Sequence, residues 1–271
     1  MKLSVSNIAW PAELDDTVLP WLASSGIGAI EVAPTRVWPN WEGIDAQSVS
    51  RFRRRVEAEG LVISSLQSIL FQRPELKLFG SVADRVAMRE HLCRCADLAA
   101  DLGASCLVFG SPKNRSRGTL PEEEAFAIAV GFFAQVGEDY AGRGVRLGFE
   151  ANPSDYQCDF ATESGTASRL VRAVASPGVA LHLDTACLHL AAEDTAQAIA
   201  QNADILCHFH ASEPNLGGFS APVSAHAEAA QALGRTGYGG WVALEMRAGD
   251  PPLPALREAV DFVRRTYGGA V

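Results

Sequence analysis

The sequence predicts an α/β protein built as a single (β/α)8 TIM barrel, and three observations carry that expectation. Short apolar runs, several rich in Val, Ile and Leu, alternate with amphipathic stretches from end to end, as strands covered on both faces by helices should. The sequence holds eight candidate strands and eight candidate helices, in strict alternation. The length, 271 residues, exceeds a typical domain but matches the roughly 250 residues of one such barrel.

The strands are expected at 3–9, 27–33, 62–68, 105–110, 145–150, 179–184, 205–211 and 241–246. Helices are expected between and after them, at 15–25, 45–59, 82–102, 121–142, 162–175, 193–201, 222–235 and 252–267. The first strand runs into SNIAWPAELDD, which contains no glycine fingerprint, and no Walker loop occurs anywhere. A doubly wound nucleotide-binding sheet is thereby disfavoured. Gly26, Gly60, Gly103, Gly144 and Gly178 each stand just before a strand, where a helix cap or αβ turn belongs. The helix at 82–102 places Val82, Val86, Leu92, Ala96 and Ala99 at helical spacing. Pro121 and the acidic turn Glu122-Glu123-Glu124 suit the N-terminus of the next helix. No linker or shift of composition divides the chain, so residues 1–271 are expected to form one domain.

Composition narrows the function classes. A formal charge of −9 argues against a broad phosphate-binding surface, so nucleic acid is not expected as a partner. No apolar run approaches the ~18 residues of a membrane span, and the N-terminus lacks the apolar core of a signal peptide. The six cysteines form no CxxC pair, and free thiols in a reducing compartment are expected, hence a cytoplasmic protein with no membrane partner.

Catalytic residues of such barrels come from the C-terminal ends of the strands. The fifth strand ends in Glu150 and the sixth in Asp184, while His210 and Glu245 come near the ends of the seventh and eighth. Alternation puts Glu150 on one face with Gly148, Asp184 with His182, His210 with His208, and Glu245 with Ala243. The opposite faces are apolar and suit the helix-covered outside. Four strands therefore deliver a potential ligand at one height inside the barrel. Three carboxylates and an imidazole converging there repel each other unless a cation neutralises them. One divalent ion is expected, with an oxygen-rich set that favours Mn²⁺ or Mg²⁺ and accommodates Co²⁺.

These residues, in the settings FEAN (Glu150), HLDT (Asp184), FHAS (His210) and LEM (Glu245), resemble the metal-binding quartet of the xylose isomerase-like TIM barrels. Among these the sequence is most similar to the sugar phosphate isomerase/epimerase group, with its ketose 3-epimerases and hydroxypyruvate isomerases. The resemblance covers essentially the whole chain. It implies Glu150 and Glu245 as acid/base pair around a cis-enediolate, a sugar or polyol substrate, and a homodimer or homotetramer. Two departures stand out. Cys187 occupies the place of a histidine often found three residues after the aspartate, with His189 the nearest alternative, and HASEPNLGG lacks the arginine that tends to follow the strand-seven histidine. A dehydratase acting on a keto-sugar, keto-cyclitol or related polyol acid would use the same site, and a non-catalytic sugar-binding barrel is the alternative of another class. An endonuclease-like phosphodiesterase would need several metals and many more histidines and acids at the strand ends, and the six histidines here are mostly accounted for otherwise.

Weaker signals surround the quartet. Lys113, Arg115 and Arg117 follow the fourth strand and suit an anionic group. Trp10, Trp38 and Trp41 follow strands one and two, where an apolar wall over the substrate is expected. Asn7, Glu31 and Gln67 lie near strand ends, where polar groups orient hydroxyls. Asn152, Cys187, His189 and Arg247 complete the expected substrate-side set. His182 and His208, two residues deeper than ligands, are expected to orient their neighbours, and His91 and His226 to lie on helix surfaces.

Overall fold

A computed structural model describes residues 1–269; the last two residues of the 1–271 span lie outside the described residues. Eight strands close into a barrel in chain order, every neighbouring pair parallel. They are β1 (Lys2–Ser6), β2 (Ala29–Val32), β3 (Val62–Leu66), β4 (Cys106–Phe109), β5 (Arg146–Glu150), β6 (Val179–Asp184), β7 (Leu206–Ser212) and β8 (Trp241–Glu245). The helices are α1 (Asp15–Ser24), α2 (Pro34–Val37), α3 (Ala46–Ala58), α4 (Val82–Leu102), α5 (Glu122–Ala141), α6 (Ser164–Val174), α7 (Thr185–Leu190), α8 (Thr195–Asn202), α9 (His226–Arg235) and α10 (Pro252–Tyr267). Every expected strand and helix is present. Strand one stops early because Ser6 caps a tight turn, its side chain accepting from Ile8 N. Two short helices, α2 and α7, were not expected. None of the described helices is long and apolar enough to cross a membrane.

The core is a ring outside the barrel. Leu147, Phe149, Leu181, Phe209, Val242 and Leu244 face outward at 0% exposure, under the helices. Phe109, Phe133 and Phe149 cluster there with ring centroids 5.2–5.9 Å apart. The helix α4 meets this ring through Leu92, Ala96 and Ala99, but Val82 and Val86, expected on the same apolar face, are 68% and 52% exposed. His91 and His226, expected on helix surfaces, are buried. His91 lies 2.8 Å from the Ile69 carbonyl through Nε2 and 3.1 Å from Arg73 through Nδ1, and His226 joins Glu213 to the Tyr267 hydroxyl.

Inside the barrel the side chains form layers. In an eight-stranded barrel of this kind the ladder climbs about one residue per strand. Glu150 pairs with His182, which pairs with His208, so the β7 residue level with Glu150 is His210. By the same step Asp184, which pairs through His210 with Ala243, is level with Glu245. The four expected ligands thus occupy two adjacent layers at the C-terminal end. Two register shifts tune this stacking: β3 carries an extra residue opposite Ile30/Glu31, and β7 one opposite Leu181/His182. Such bulges re-aim the side chains that follow them.

Candidate active site

His210 is the hinge of the site. It is 1% exposed, and its Nε2 stands 2.9 Å from Glu31 Oε2. Its Nδ1 faces Glu245 Oε2 at 3.1 Å and Asp184 Oδ2 at 3.7 Å. A carboxylate accepting from Nε2–H leaves the Nδ1 lone pair directed at the other acids, the arrangement by which metal-ligating histidines are oriented. Burial works against a charge on His210, but Glu31 and Glu245 outweigh it and hold its pKa well above the usual histidine value. The acids call for a cation at this point. Burial, reinforced by Glu150, pushes Asp184 up to about 7, and burial also raises Glu245. Buried like charges of this kind are neutralised by protons or by a metal.

Each acid is held from behind. The Asp184 carboxylate caps α7, Oδ1 accepting from Cys187 N at 2.7 Å, and Oδ2 accepts from Ser212 Oγ at 2.6 Å. Asn152 Nδ2 donates to Glu150 Oε2 at 2.8 Å, and Asn152 is itself held by Arg115, whose Nη2 donates to Oδ1 at 2.9 Å. The orientation of the Gln67 amide that satisfies both its ends accepts from Ser6 Oγ and donates to Glu31 Oε2 at 3.0 Å and Glu245 Oε1 at 2.6 Å. Gly110 lies against Glu150: a Cβ there would stand 2.3 Å from Oε2.

His182 is buried beneath these acids, its Nε2 3.4 Å from Glu150 Oε1. Burial, helped by His210, lowers its pKa to about 4 and keeps it neutral. One donor atom from each of Glu150, His182, Asp184 and His210 lies within 4.8 Å of the others. That donor set, with Glu245 beside it, suits a divalent ion bound by oxygen and imidazole.

The cleft above has two lobes that share Glu150 and Glu245. One, of about 590 Å³, is lined by Gln67, Phe71, Arg73, Gly110 and Lys113 and reaches His210. The other, of about 340 Å³, is lined by Asn152, Tyr156, Asp184, Cys187, Asn215 and Arg247. Gln67, Lys113, Asn152, Cys187 and Arg247 therefore line the cleft. Four other expected contacts do not. Arg115 is fully buried with its guanidinium over the Phe149 ring, so it holds Asn152 and is closed to an anion in the cleft. Trp10 is buried, donating to Asp15 at 2.7 Å under Arg36, and Asn7 is buried with Oδ1 accepting from Ala33 N. His189 is exposed at the end of α7 and lines neither lobe. Glu31, expected to orient hydroxyls, instead binds His208 Nε2 at 2.9 Å, His210 and Ser65 Oγ at 2.8 Å. Tyr156, Asn215 and Ser212 were not expected. Ser212 had a signal, since it shares the inward parity of His208 and His210.

The xylose isomerase-like TIM barrel family model matches residues 19–266. No curated protein sequence matches the chain. Among solved structures, the chain is similar to D-psicose 3-epimerase from Clostridium cellulolyticum H10, with a TM-score of 0.82, 15% identity, and 98% of this chain and 99% of that one covered. It is similar to 3-keto-D-glucoside 4-epimerase from E. coli at a TM-score of 0.78, 15% identity, and 98% and 99% coverage. A probable 3-DHS dehydratase from Bacillus anthracis aligns at 0.73, 14% identity, and 97% and 98% coverage. At such identities these likenesses speak for the fold alone.

Proposed function

The chain belongs to the xylose isomerase-like TIM barrels, and on that premise we propose that it is a divalent-metal-dependent isomerase or epimerase of a sugar or sugar derivative. The observation that carries the reading is the placement of Glu150 and Glu245 as the shared wall of two cleft lobes, with Asp184 and His210 between them. Glu150, Asp184, His210 and Glu245 would hold the ion, Mn²⁺ before Mg²⁺ or Co²⁺. Bound there, it would act as a Lewis acid on a carbonyl and the hydroxyl beside it, stabilising the enediolate charge. The chain's own residues supply the proton chemistry. One glutamate takes the proton α to the carbonyl, and the other, or the same one, returns a proton at a new face or carbon. Asn152 and Gln67 each fix one oxygen of a glutamate, which confines its remaining freedom to the cleft side. The similarity to a dehydratase supports a second reading, in which the same proton removal is followed by loss of a β-hydroxyl.

Solvent exchange tests the reading. Mn²⁺-loaded protein is incubated in D₂O with D-fructose, D-tagatose, a 3-keto-glucoside and 3-dehydroshikimate. A turned-over substrate is expected to gain deuterium next to its carbonyl, and loss of water from the product selects the dehydratase. Glu150→Gln and Glu245→Gln should each cost roughly 10²–10⁴-fold in turnover. Turnover without solvent deuterium would mean a direct hydride shift, or return of the same proton by one shielded glutamate, and either sinks the two-glutamate mechanism.

A further inference from the structure

We infer that His182 is a further ligand of the same ion, giving it two imidazoles. The inference rests on the reading that the site holds a divalent metal.

His182 is 0% exposed, and neither ring nitrogen has a hydrogen-bond partner among the described residues. Buried polar groups in native structures are nearly always satisfied, so a doubly unpartnered imidazole asks for a partner that is not protein. His210 Nδ1 is the other unpartnered ring nitrogen in this part of the barrel, and the two rings meet edge to face at 4.2 Å and 75°. The Nε2 of His182 is 3.4 Å from Glu150 Oε1. With bonds near ~2.1 Å, adjacent donors of an octahedral ion stand about 3 Å apart and opposite ones about 4.2 Å. The separations among Glu150, His182, Asp184 and His210 fall within 4.8 Å, close to those values.

Depth is no objection. His182 precedes Asp184 by two residues on β6, but the climb of the ladder leaves it only one step below the layer of Glu150 and His210. His208 shows the contrast: its Nε2 is engaged by Glu31 at 2.9 Å and Ser65 at 3.2 Å, which leaves His208 an orienting role. Two imidazoles move the preference of the site toward Co²⁺, Zn²⁺ or Fe²⁺ and away from Mg²⁺.

The test counts nitrogens. Protein stripped of metal is reloaded with one equivalent of Mn²⁺ and studied by pulsed EPR; two imidazole ¹⁴N couplings are expected, and one in His182→Phe. A single coupling in the wild type overturns the inference and leaves the metal reading standing. A wild type that takes up neither Mn²⁺ nor Co²⁺ overturns both. Calorimetric titration adds a second arm: His182→Gln should lose at least about tenfold in Co²⁺ affinity and much less in Mg²⁺ affinity. Equal losses would reduce His182 to packing. The wild-type count needs no variant, so a misfolded substitution does not blunt the test.

Discussion

His91 carries a pH dependence unrelated to the cleft. Burial, helped by Arg73 and Arg94 and only partly offset by the bond to Ile69, lowers its pKa to about 4 from 6.5. The native protein keeps it neutral where the unfolded chain is protonated, so the unfolded state binds more protons between these values. Stability is therefore fully present above about pH 6.5 and is lost as the pH falls toward 4, by up to roughly 3 kcal/mol. In urea titrations at pH 7.5 and 4.5, His91→Gln should be less stable than wild type at the higher pH but lose less between the two. Parallel losses would show that His91 does not carry this term. At the residue scale the sequence revealed what strand parity alone determines: Glu150, Asp184, His210 and Glu245 as inward strand-end groups. It misplaced residues whose environment comes from far along the chain. Arg115 reads as part of a basic turn, yet its partners are Phe109 O and Asn152 on the next loop. His91 stands between Glu90 and Leu92, and the 60s loop brings it a buried partner from outside its own helix, the Ile69 carbonyl.

At the scale of elements, strand order and helix order were legible because the apolar runs and glycine caps repeat. The bulges were not, because an extra residue in β7 leaves no mark in local composition. They matter to the site: both precede residues that contact Glu31, namely Ser65 on β3 and His208 and His210 on β7. The short α7 was also hidden, since six residues give too little periodicity and its cap is Asp184 itself. The end of β4 offers a test of how closely the strand ends are fitted. Gly110 leaves the space that Glu150 fills, and a Cβ there would come within 2.3 Å of Oε2. Gly110→Ala should displace Glu150 from Asn152, reducing metal affinity about 10–100-fold, the range for loss of a partner that orients a ligand. Because the clash is with the end of a side chain, the far-ultraviolet circular dichroism should be unchanged. Metal affinity equal to wild type would show that Glu150 has a second position as good as the first.

The whole barrel sets the energetics of the site. Its helix-covered outside supplies the apolar core, while its upper interior confines the buried carboxylates Glu31, Glu150 and Asp184 and the partly buried Glu245 around His210 and His182. Such a set opposes folding when no cation is present, since burial and mutual repulsion raise Asp184 and Glu245. An ion bound only by the native state stabilises it by mass action, about 2.7 kcal/mol at a hundred times Kd. For a chain of this size each kcal/mol moves Tm by roughly 2–4 °C, so saturating Mn²⁺ should raise Tm by about 5–10 °C and chelation should reverse the rise. Asp184→Asn separates this effect from a general loss of fold. Asparagine keeps an oxygen for Cys187 N at the start of α7 and removes one charge from the cluster. The metal-free variant should therefore melt no lower than metal-free wild type, while its response to Mn²⁺ falls to a small fraction. A variant that melts far below wild type without metal would make Asp184 chiefly a structural cap. A variant that keeps the full Mn²⁺ shift would place the ion somewhere other than this cluster.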